Sequence, residues 1–122
     1  MKTLLSICAV ALFSTAIYVS LPEPDLPDVL NTGVCVTEFN AGFNKSNSVD
    51  WLDQLSDCKG RRIDIVTNPA MQKEHSIVVV PTIIVFNNGE EVKRFQANIL
   101  MQLEATQEEV QEAVDEIIMS AF

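Results

Sequence analysis

The chain has 122 residues, enough for one domain with a single modest core. Its 17 acidic and 8 basic side chains give a formal net charge of -9, which repels phosphate backbones and argues against a nucleic-acid partner. Lys59, Arg61, Arg62, Lys73, Lys93 and Arg94 are scattered or paired and form no basic run, and one histidine with three cysteines, none in a C-x-x-C spacing, makes no tetrahedral metal set. Neither a metal nor another cofactor is expected.

From Thr3 to Leu21 the chain carries no charge, follows Lys2, and runs into the acidic stretch PEPDLPD. The run is longer than a signal peptide's apolar region usually is and close to the length of a membrane span. A cation before it and anions after it place the amino end in the cytoplasm and the domain outside. The nearest small-residue pattern, Ser14-Thr15-Ala16, would leave half of the run on a cleaved product, so residues 1–21 read as an uncleaved anchor rather than a removed signal. Both readings put the domain on the extracytoplasmic side. Cys8 follows bulky Ile7 and is a poor lipid-attachment site. Residues 22–32, with Pro22, Pro24 and Pro27, read as a stiff acidic linker, and residues 33–122 as the folded domain.

Within that domain, Gly33 to Phe39 is a β-branched run of strand length that ends in the turn-forming stretch NAGFNKSNS. Val49, Leu52 and Leu55 predict a helix over Ser46 to Asp57, capped by Asn47 or Ser48 and ended by Lys59-Gly60. A strand is predicted over Arg62 to Val66, a turn at Asn68-Pro69 and a short helix over Ala70 to His75. Ile77 to Phe86 is the strongest strand signal, although Pro81 interrupts it at the cost of a ladder hydrogen bond. Asn87-Asn88-Gly89 predicts a hairpin into Glu91 to Phe95. Thr106 and Glu109 form a capping box for a final helix whose apolar face is Val110, Ala113, Val114, Ile117 and Ile118. This order predicts an α/β fold, a mixed sheet flanked by helices.

Val79-Val80-Pro81-Thr82, followed by Ile83-Ile84-Val85-Phe86 and the Asn87-Asn88-Gly89-Glu90 turn, resembles the thioredoxin family. Asn68-Pro69 and Ile63-Asp64-Ile65 sit at the family's usual distances before it, and the resemblance spans Gly33 to Ile118. It implies a thioredoxin-like domain whose first strand and helix are truncated. It also implies a cis-proline at Pro81 in place of an edge-strand proline, and a groove at Val80, Pro81 and Thr82. Matching Phe39 to the aromatic end of the family's central strand puts the two active cysteines at Asn44 and Asn47. Asn44-Lys45-Ser46-Asn47 then stands as a degenerate active-site loop.

Dithiol exchange needs a thiolate at a helix N-terminus and a second thiol one turn away, and asparagine supplies neither. Asn44 and Asn47 read more simply as a turn-former and a helix cap. Asn44-Lys45-Ser46 is also a glycosylation sequon on an exported loop. A helix running back along the first strand returns Cys58 to the end of the domain where Cys35 begins. An oxidising compartment would join them, adding about 3 kcal/mol, and the alternative is two buried free thiols. His75 reads as a surface residue, and Trp51 and Phe43 as packing. The function expected is a redox-inactive binding or assembly module that holds an extended peptide of an exported or membrane protein, itself tethered through residues 3–21. The alternatives are an oxidoreductase using Cys35 or Cys58 and a structural subunit of a membrane complex.

Overall fold

The computed structural model describes residues 32–122. The expected anchor and most of the expected linker lie outside the described residues. Four strands form one sheet: β1 (Val34–Asn40), β2 (Lys59–Asp64), β3 (Thr82–Asn87) and β4 (Glu90–Gln96). Their spatial order is β2-β1-β3-β4, with β1 parallel to β2 and antiparallel to β3, and β3 antiparallel to β4. The α-helices are α1 (Pro69–Glu74) and α2 (Gln107–Ser120). This is the expected mixed α/β sheet.

β1 is buried along its whole length, so alternate side chains feed two separate cores. Cys35 and Phe39 join Ile63, Ile84 and Phe86 on one face, against Ile77 and Met71 of the α1 region. Val34 and Val36 join Ile83 and Val85 on the other face, against Val110, Val114 and Ile117 of α2. Each fully buried aliphatic or aromatic side chain contributes roughly 1.5–3 kcal/mol of transfer free energy.

α2 starts as its sequence predicts. The Thr106 side chain accepts from the Glu109 amide at 3.2 Å, and the Glu109 carboxylate accepts from the Thr106 amide at 2.8 Å. Glu108 and Glu109 also lie in the first turn, where the helix dipole favours anions. The hairpin forms as well: Asn88 and Gly89 have φ of 53° and 87°, the pair of positive values that a two-residue turn between twisted strands requires.

Three expectations fail. No α-helix forms over Ser46 to Asp57; the segment is two short 3₁₀ stretches, Gly42–Asn47 and Leu52–Gln54, joined by extended backbone at Ser48. Of its apolar residues Val49, Leu52 and Leu55, only Leu52 lies in a 3₁₀ turn, and the Val49 amide is taken by Glu38 Oε2. Asn47 and Ser48 therefore cap no α-helix, and Lys59-Gly60 opens β2 instead of ending one. The strand after it is Lys59–Asp64, earlier than predicted. Finally, β3 begins only at Thr82, so Ile77 to Pro81 makes no ladder and Pro81 removes no sheet hydrogen bond. β3 lies between β1 and β4, which rules out an edge-strand proline.

Candidate functional site

At the carboxyl end of β1 the chain turns through Ala41 and brings Asn44 back under the sheet, with the Asn44 amide donating to the Ala41 carbonyl at 2.8 Å. Asn44 is 3% exposed. Its Nδ2 faces three acceptors: the carbonyls of Met101 at 3.1 Å and Val80 at 3.3 Å, and Asn40 Oδ1 at 3.2 Å. Two amide hydrogens are shared among them. Asn44 Oδ1 accepts from Asn47 Nδ2 at 2.8 Å, and its backbone carbonyl accepts from Asn40 Nδ2 at 3.2 Å. Asn44 is thus a buried cross-link between three segments rather than a turn-former, and Asn47 supports it rather than capping a helix. Lys45 and Ser46 are exposed beside it. A glycan at Asn44 would need the same Nδ2, which the folded domain holds buried in these hydrogen bonds.

The Val80–Pro81 peptide bond is cis. Of the three expected groove residues, Pro81 and Thr82 are buried and spent internally. Thr82 Oγ1 donates to the Val79 carbonyl at 2.7 Å, and the Pro81 carbonyl accepts from the Ala97 amide at 3.1 Å. Val80 lines an open cavity of about 270 Å³ with Val78, Val79, Phe43, Ile99 and Met101. Among the described residues the backbone N–H groups of Val78, Val79 and Val80 donate to no protein acceptor.

The opposite wall is the connection between β4 and α2. Asn98 Oδ1 accepts from the amides of Leu100 at 2.9 Å and Gln102 at 3.1 Å, and Met101 takes a φ of 60° to close the turn. The turn projects Ile99, 95% exposed, and Leu100, 67% exposed, towards solvent. Phe43 and Val78 are also exposed, at 75% and 77%, which corrects the reading of Phe43 as packing. The sequence signal for this wall is the apolar triplet Ile99-Leu100-Met101 between two amide residues.

A second residue that the sequence reading missed is Glu38, 1% exposed in the central strand. Its Oε1 accepts from Arg62 Nε at 3.0 Å on β2, and its Oε2 accepts from the Val49 amide at 3.0 Å. Over this pair lies an open hollow of about 670 Å³ bordered by Lys45, Asp50 and Asp64. It occupies the space beside the segment that failed to form a helix.

The thiols lie elsewhere. Cys35 is fully buried on one face of the sheet, 3.6 Å from Thr37 Oγ1, and Cys58 packs against the core of the other face. Both are free. They do return to one end of the sheet, but Cys35 stands opposite Lys59, one residue beyond Cys58. Cys58 precedes β2 and packs with the α2-side core, whereas Cys35 belongs to the α1-side core, and the two form no disulfide here, the alternative of two free thiols. Burial, followed by the nearby Cys35, Asp57 and Asp115, pushes the Cys58 thiol up to about 11. His75 is not a surface residue either: its ring packs between Phe39 and Phe86 at centroid distances of 5.5 and 5.2 Å, and its buried Nε2 makes no hydrogen bond among the described residues and lies 4.0 Å from Glu74 Oε2. Trp51 packs against the α2-side core, as expected. Among the described residues no three His, Cys, Asp or Glu side chains gather as a metal site.

No protein-family model matches the chain, and no curated protein does. Solved structures do. A thioredoxin variant from Halobacterium salinarum superposes with a TM-score of 0.62 at 21% identity, covering 76% of this chain and 82% of that one. Schistosoma mansoni thioredoxin gives 0.60 at 18% identity over 78% of this chain and 86% of its own, and Fasciola hepatica thioredoxin 0.55 at 16% over 77% and 89%. The domain therefore has a thioredoxin-like fold. At these identities the likeness is one of architecture.

Proposed function

We propose that the protein is a redox-inactive thioredoxin-like binding or assembly module, tethered outside the cytoplasm through residues 3–21. On this reading its partner is an extended segment of an exported or membrane protein, bound at the face made by Val78–Val80 and Ile99–Met101. The observation that carries the reading is the juxtaposition of three backbone N–H groups that have no acceptor among the described residues with an exposed apolar rim. An extended segment can pair with alternate N–H groups of this stretch through its carbonyls and cover the rim with its side chains. Asn44, at the position where the resemblance puts a reactive thiol, is buried and bridges the Val80 and Met101 carbonyls of that face.

The oxidoreductase alternative finds no support in either cysteine. Cys35 has no exposed surface, and Cys58, with its thiol near 11 and acidic neighbours, holds almost no thiolate at neutral pH.

Two measurements on the full-length protein in its own membrane test the reading. A photo-crosslinking residue at Val78 is expected to capture one discrete protein, and the same residue at Val92, exposed on β4, is expected to capture none. Equal capture at both positions sinks the binding face. Catalytic reduction of a disulfide substrate that disappears with Cys58→Ser sinks the redox-inactive assignment.

A further inference from the structure

Among the described residues Arg61 is the one arginine without a carboxylate partner. Arg62 Nε holds Glu38 Oε1 at 3.0 Å and Arg94 Nη2 holds Glu91 Oε1 at 2.8 Å. Arg61 Nη1 is buried and makes no hydrogen bond among the described residues. A guanidinium stays charged at every physiological pH, so a buried N–H of this group left unpaired is costly and calls for an anion. Within β2, Lys59, Arg61 and Ile63 share one face, because alternate residues of a strand do, and Ile63 packs in the α1-side core. β2 is an edge strand, so the outer flank of this row has no neighbouring strand among the described residues.

The chain entering the domain arrives beside that row. Lys59 Nζ donates to the Thr32 carbonyl at 3.4 Å and to Thr32 Oγ1 at 3.0 Å. The backbone bends at Thr32 and Gly33, and Gly33 takes a φ of 70°, so the residues before it do not continue the line of β1. Upstream stand Glu23, Asp25 and Asp28 of the expected acidic linker, which has no cation of its own. The two-residue step from Lys59 to Arg61 spans about 7 Å, and the four residues from Thr32 back to Asp28 span up to about 13 Å, which brings that carboxylate within reach of the guanidinium. We propose that the linker is strapped to the outer edge of β2 by an ion pair between Asp28 and Arg61. The strap extends the Lys59–Thr32 contact by one charged pair and fixes the direction in which the chain leaves the domain. It goes beyond the binding reading and does not depend on it: residues 22–32 become part of the domain's surface instead of a free spacer.

The test uses the purified full-length protein in a non-ionic detergent. With Arg61→Lys, which puts an amine where the guanidinium stands, a carbodiimide is expected to join position 61 to Asp28 by a zero-length amide, read by mass spectrometry as one crosslinked peptide pair and lost with Asp28→Asn. A crosslink from position 61 to any other carboxylate, or none at all, overturns the pairing. Elastase cleavage at Val29 is expected to be about three- to tenfold faster in Arg61→Gln than in the unsubstituted protein, and faster in the unsubstituted protein at about 1 M salt, each rate taken relative to the same linker sequence as a free peptide. Asp28→Asn, which alters no residue of the sheet, is expected to give the same acceleration, and the double variant no more than either alone. Accelerations that multiply in the double variant, or a rate equal to the unsubstituted protein's in either single one, overturn the strap and leave the binding face untouched.

Discussion

Two stretches of this chain carry apolar residues at helical spacing, Ser46 to Asp57 and Gln107 to Ser120, and only the second is an α-helix. In α2 the buried residues Val110, Ala113, Val114 and Ile117 step by three, one and three, a single stripe on one side of the helix. Its first turn is closed by side chains that have no better use. In the earlier stretch the backbone has competitors. Glu38 takes the Val49 amide, and Asn40 Nδ2 donates to Ser48 Oγ at 2.8 Å and to the Asn44 carbonyl. Short polar side chains offered such local bonds draw a chain out of the helix. An apolar stripe, then, makes a helix only where the neighbouring polar groups leave the backbone to itself.

Leu52 is where this contrast can be broken most forcefully. It is 2% exposed and anchors the irregular stretch in the core, and Leu52→Ala is expected to cost about 3 kcal/mol in denaturant unfolding. A cost below about 1 kcal/mol would mean that polar bonds alone hold the segment. Asn44→Ala removes the cross-link and leaves buried carbonyls unpaired, for an expected loss of about 2 kcal/mol by the same measurement. Stability equal to the unsubstituted protein would show that the network is incidental. The smallest effect belongs to α2: Thr106→Ala removes one cap and is expected to cost about 1 kcal/mol. A loss as large as that of Leu52→Ala would make the capping box, and not the buried stripe, the main support of the helix.

The same contrast explains what is legible in the sequence. The Asn88-Gly89 turn and the Thr106 capping box are local patterns, each decided within a few residues, and they appear where expected, whereas only the second half of the strand predicted over Ile77 to Phe86 forms. The sheet follows from their order. The site is legible in its address but not in its construction. Asn44 is found by its distance from Phe39, yet its role depends on Val80 and Met101, which lie 36 and 57 positions away. The Glu38 pair is equally non-local, since its partner Arg62 arrives from β2. Cys35 and Cys58 are legible as reaching one end of the sheet, while the core each joins depends on non-local packing.

The hairpin between β3 and β4 also fixes how the domain meets the chain before it. Asn88 donates its amide to the Gly33 carbonyl at 2.8 Å and accepts the Gly33 amide on Oδ1 at 2.8 Å, clasping the start of β1 to the tip of the hairpin. From that clasp β1 runs its seven residues, about 23 Å at strand rise, before reaching the turn that holds Asn44. Entry point and candidate face are therefore opposite poles of the domain. Phe43, Val78 and Ile99 thus stand at the pole farthest from Gly33.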